Sequence, residues 1–76
     1  MKANNMTEEQ RQYIFKFLVT RQEEITTRLN ANHEIRKREG DINPRRKYQE
    51  RKDLAEMSLI HSIMHELFAD EYNQGL

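Results

Sequence analysis

The sequence predicts an all-α protein, an antiparallel helical hairpin of two long helices that dimerises into a four-helix bundle. Three observations carry this reading. Charged residues make up 34% of the chain, against two glycines and one proline, a composition of long helices and few turns. Apart from Gly75 near the C-terminus, the residues that break helices are Gly40 and Pro44, close together at the middle. No stretch alternates apolar and polar residues with the period of a strand.

Helix 1 is predicted over residues 8–38. Thr7 and Gln10 have the spacing of a capping box, in which the hydroxyl accepts from one free backbone N–H while the amide reaches back to another. Glu8 and Glu9 suit the positive end of the helix dipole, and Arg36, Lys37 and Arg38 suit the negative end. Residues 39–43 form the turn. Asn43 is a preferred N-cap, and Pro44 then falls at the first helical position, where its missing N–H costs nothing. Helix 2 is predicted from Pro44 to Tyr72, and residues 1–6 and 73–76 are expected to be flexible. The whole chain, 1–76, reads as a single helical-hairpin domain.

So short a turn makes the helices antiparallel and pairs residues whose numbers add to about 83. Ile35 then faces Tyr48, Leu29 faces Leu54, Ile25 faces Met57, Leu18 faces His65, and Phe17 faces Leu67 or Phe68. At 100° per residue, Tyr13, Ile14, Phe17, Leu18, Ile25, Leu29 and Ile35 share a stripe on helix 1. Leu54, Met57, Ile60, Ile63, Met64, Leu67 and Phe68 share one on helix 2. Near the open end of the hairpin, YIFKFLV (13–19) and MSLIHSIMHELF (57–68) are apolar around more of the helix than one neighbour covers, with Phe15, Val19 and Leu59 off the main stripe. Apolar surface of this kind marks association. Tyr13, Phe15, Phe17, Val19, Leu59, Ile60, Ile63 and Leu67 are therefore the expected oligomer interface. Towards the turn, Arg21, Arg28 and Asn32 lie on or near the stripe, so that half is held by polar pairs or packed loosely, and a buried Asn there sets register.

The absence of cysteine removes disulfides, thiolate metal sites and cysteine nucleophiles, and fits a reducing, cytoplasmic setting. No apolar run reaches membrane length, and the polar start MKANNMTEEQ has no signal-peptide core, so no membrane is expected as a partner. Net charge is zero but unevenly spread: residues 33–52 hold eight Lys/Arg against four Asp/Glu, and residues 53–76 hold none against five.

Catalysis is not expected, because a two-helix hairpin offers no pocket with converging polar groups. His61 and His65 lie four apart on helix 2 and could begin a metal site, but no usual third ligand shares their side, so packing is the reading and no cofactor is expected. The basic residues Arg36, Lys37, Arg38, Arg45, Arg46 and Lys47 are the candidate partner-binding or nucleic-acid-binding set. Those before the turn suit their helix end, whereas Arg45, Arg46 and Lys47 stand at the positive end of helix 2, where local stability favours acids. The sequence thus points to a small non-catalytic interaction protein, a homodimer that regulates or inhibits a protein partner. The alternative is a nucleic-acid-binding hairpin dimer that uses the basic tip.

Overall fold

Residues 6–68 are described by the computed structural model of the protein. Two helices account for almost all of them: α1, Glu8–Glu39, and α2, Pro44–Leu67. Among the described residues there is no strand. Each start is capped by the residues that announce it. The Thr7 hydroxyl accepts from the Gln10 backbone N–H (3.1 Å) while the Thr7 N–H donates to Gln10 Oε1 (3.0 Å). Asn43 Oδ1 accepts from the Arg46 N–H at 2.8 Å, with Pro44 in the first turn.

Between the helices, Gly40 takes φ +89°, a conformation an L side chain rarely adopts, while its N–H still donates to the Arg36 carbonyl at 2.8 Å. Asp41 Oδ1 accepts from the Ile42 N–H (2.8 Å), and Ile42 is buried at the turn, outside the main apolar cluster. At the far end α2 stops at Leu67, short of the predicted Tyr72. Phe68 leaves helical geometry (φ −131°, ψ 35°) and sets its ring edge-on to Phe15, centroids 5.2 Å apart. Residues 69–72 and the terminal segments 1–5 and 73–76 lie outside the described residues.

The helices run antiparallel near the predicted register: Phe15 meets Phe68 and Gln22 meets His61. Their packing changes character along the hairpin. In the open half, Leu18, Ile25, Ile60, Met64, Leu67 and Phe68 form one buried cluster, flanked by half-buried Ile14, Phe15, Val19, Leu29, Met57 and Ile63. In the turn half, charged pairs replace this cluster.

Several stripe assignments are corrected. Phe15 and Val19, expected off the stripe, pack against the cluster, whereas Tyr13 (74% exposed) and Phe17 (62% exposed) point away from it. Leu54 and His65 are exposed as well, not seated opposite Leu29 and Leu18, and Tyr48 is exposed rather than packed on Ile35. The cause is the rotation of α1, fixed by Arg21 and Arg28 turning to reach acids on α2. The molecule measures 48 × 23 × 16 Å, two helices wide and one helix thick.

Candidate functional site

Three bidentate arginine–carboxylate pairs bind the helices together, two in the turn half and one, Arg21–Glu56, beside the apolar cluster. Arg21 grips Glu56, its Nη2 lying 2.9 Å from Oε1. Arg28 donates to both oxygens of Asp53 at 2.8 and 2.7 Å, and Arg36 to both oxygens of Glu50 at 2.7 and 2.8 Å. The match is one of side-chain reach, since Glu50, Asp53 and Glu56 recur every three residues over about 9 Å of α2 while Arg21, Arg28 and Arg36 recur every seven or eight over about 22 Å of α1 and converge on them. Those intervals keep each set on one face of its helix.

Asp53 is 1% exposed, and its remaining need is met by Gln49 Nε2 at 3.0 Å. Asn32, also buried, donates to Glu50 (3.3 Å) and accepts from Arg46 Nη1 (3.2 Å), so its amide serves an anion and a cation at once. Among the described residues no buried side-chain nitrogen or oxygen lacks a partner. The guanidinium facing each acid holds it ionised: Arg28, then Gln49, lowers the Asp53 pKa, Arg36, then Asn32, lowers that of Glu50, and Arg21 lowers that of Glu56.

This ladder accounts for part of the predicted basic set. Arg36 belongs to it. Arg46 reaches Asn32, Lys47 pairs with Asp41 at 2.7 Å, Arg38 with Glu39 at 3.2 Å and Lys37 with Glu34 at 3.8 Å. Arg45 has no ion pair among the described residues. Beyond it lie Arg51 and Lys52, exposed on the outer side of α2, and the Lys52 ammonium stands 5.3 Å from the centroid of the Tyr48 ring. Sequence reasoning did not single out Arg51, Lys52, Asp53 or Glu56. A signal was present in the cations placed three before, three after and four after Tyr48.

The expected interface residues divide. Ile60 and Leu67 are buried inside the hairpin, so they hold α1 to α2 and present no surface; Phe15, Val19 and Ile63 are half-buried against the same cluster. Tyr13, Phe17 and Leu59 (59% exposed) are open. Their placement follows from the Arg21–Glu56 pair, which marks one flank of the hairpin. One turn before Arg21 comes Phe17 and two turns before it Tyr13; on α2, Leu59 and Ile63 lie one and two turns after Glu56. In antiparallel helices these steps run the same way, so the four side chains line one flank. A depression of about 550 Å³ lined by Met6, Gln10, Tyr13 and Ile14 prolongs the flank to the end of α1.

On the opposite flank the Gln22 amide donates to His61 Nε2 at 3.0 Å, and His65 is exposed. Among the described residues no three His, Cys, Asp or Glu side chains converge as metal ligands, and no helix is long and apolar enough to cross a membrane. No protein-family model matches the chain, and neither a curated protein nor a solved structure is significantly similar to it.

Proposed function

We propose that this chain is a small non-catalytic interaction protein that works by docking other helices on the flank of Tyr13, Phe17, Leu59 and Ile63, first of all a second copy of itself in a four-helix bundle. The observation that carries the reading is the exposure of three large apolar side chains, Tyr13, Phe17 and Leu59, along one flank of the open half. Surface area supports a second copy as occupant. A compact chain of 9.3 kDa exposes about 5,000 Å², whereas this one exposes 6050 Å². The excess is close to the roughly 800 Å² that each partner contributes to an interface of standard size. Shape agrees, since the radius of gyration of 15.5 Å exceeds the roughly 11 Å of a compact chain of this length.

The titratable groups support binding over catalysis, because Arg21, Arg28, Arg36, Glu50, Asp53 and Glu56 neutralise one another between the helices and do not converge on an open cleft. Regulation or inhibition of a protein partner, through the same flank in the dimer or in exchange for it, is the role this arrangement favours.

Sedimentation velocity across a wide concentration range tests the reading. The wild type should sediment as a dimer, and Phe17→Asp as a monomer with unchanged helical circular dichroism. A wild type that stays monomeric at the highest concentration refutes it.

A further inference from the structure

We infer that the outer face of α2 around Tyr48 is a binding surface for single-stranded nucleic acid, with Arg45, Arg51 and Lys52 on phosphates and the Tyr48 ring stacked on an unpaired base. Between Pro44 and His65 helix α2 has three acids, Glu50, Asp53 and Glu56, and each is gripped by an arginine of α1. Over the same stretch it has five cations, Arg45, Arg46, Lys47, Arg51 and Lys52. Two are engaged near the turn, Arg46 with Asn32 and Lys47 with Asp41. The acids face inward and the rest of the cations face out, so a chain of zero net charge presents an unopposed cationic face.

Tyr48 sits in the middle of this face, 58% exposed, with Arg45 three residues before it, Arg51 three after and Lys52 four after. On a helix all three neighbour the ring. Of the acids of α1 nearest this stretch in the register, Glu34 pairs with Lys37 and Glu39 with Arg38. The ring is largely open to solvent, with the Lys52 ammonium 5.3 Å from its centroid. Cations that track a backbone around an aromatic platform are the elements of single-strand recognition. The helix rises about 10 Å from Arg45 to Lys52, enough for neighbouring phosphates of one strand. A duplex would leave the ring without an exposed base face, which is why an unpaired strand is favoured.

Fluorescence anisotropy with a short labelled single-stranded oligonucleotide, in RNA and DNA forms, tests this on the full chain. Binding is expected at low salt, and raising salt from about 50 to about 200 mM should weaken it about 20-fold, the slope for three phosphate contacts on a single strand. Arg45→Glu with Arg51→Glu and Lys52→Glu should abolish binding while helical circular dichroism persists, since none of the three has an ion pair among the described residues. Tyr48→Ala should weaken it about tenfold. Any one of four results overturns the inference: no binding of the wild type at low salt, undiminished binding by the triple variant, tighter binding to a duplex, or equal binding to heparin with no effect of Tyr48→Ala.

Discussion

Asp53 carries a charge at 1% exposure and is matched on every side, by both donors of Arg28 and by Gln49. A buried ion pair of this sort stabilises little against a well-packed apolar pair, but losing one member strands the other. Arg28→Ala should therefore cost about 3 kcal/mol, at the lower end of the range for a broken buried pair because the arginine is half-exposed. Arg28→Met with Asp53→Leu should restore stability to the wild-type level or above it. Urea denaturation of the three proteins checks this, and a single variant as stable as the double would disprove the assignment. The sequence could place Arg28 near the stripe but not name its partner, because a long-range pair leaves no local trace. Cap residues are the reverse case. Thr7 with Gln10, Asn43 with Pro44, and Gly40 act within three or four residues of themselves, and each does in the structure what its type and spacing foretell.

Each helix is apolar where it meets the other in the open half, with the Arg21–Glu56 pair at that cluster's edge, and charged where it meets the other in the turn half. In YIFKFLV every residue besides Tyr13 and Lys16 is fully apolar, so the segment has hardly a polar side to fix its rotation and periodicity alone does not set the stripe. The arginines further along α1 fix it instead. Division of the element into halves also makes its stability depend on pH. Asp41, Glu50, Asp53 and Glu56 all have folded pKa values below their ordinary ones. As pH falls, the unfolded chain binds protons first, so stability is whole above about pH 5 and declines as the folded values are approached. Thermal melts should show a transition temperature constant from neutrality to about pH 5 and falling below it. Hydrogen exchange should show residues 28–50 losing protection before the apolar cluster does. An acid-insensitive melt would mean the ladder adds nothing to the fold.

For the whole molecule, the sorting of charge matters more than its total. A sequence pI of about 6.8 suggests no retention on a cation-exchange resin at pH 7.5. With Glu50, Asp53 and Glu56 turned inward, the intact protein should nonetheless be retained, and Arg45→Glu with Arg51→Glu and Lys52→Glu should flow through. Equal flow-through of both would show that the cationic face is neutralised in solution. The same sorting bears on how copies of the chain recognise one another. Every ladder pair joins an arginine of α1 to an acid of α2, so two α1 helices laid together repel along that face, and so do two α2 helices. The charges thus dictate that unlike helices meet, yet they are indifferent to whether both come from one molecule. A domain-swapped pair, in which α1 of each copy lies on α2 of the other, would keep the Arg21, Arg28 and Arg36 pairs intact. What favours a hairpin closed within one chain is the short turn from Gly40 to Asn43, whose positive-φ glycine and Asn43 cap reverse the chain at once and hold the helices at a high effective concentration. Gly40 is in that sense a choice of molecularity: a residue that resists its conformation would leave every side-chain contact of the ladder available and change only which chain supplies it.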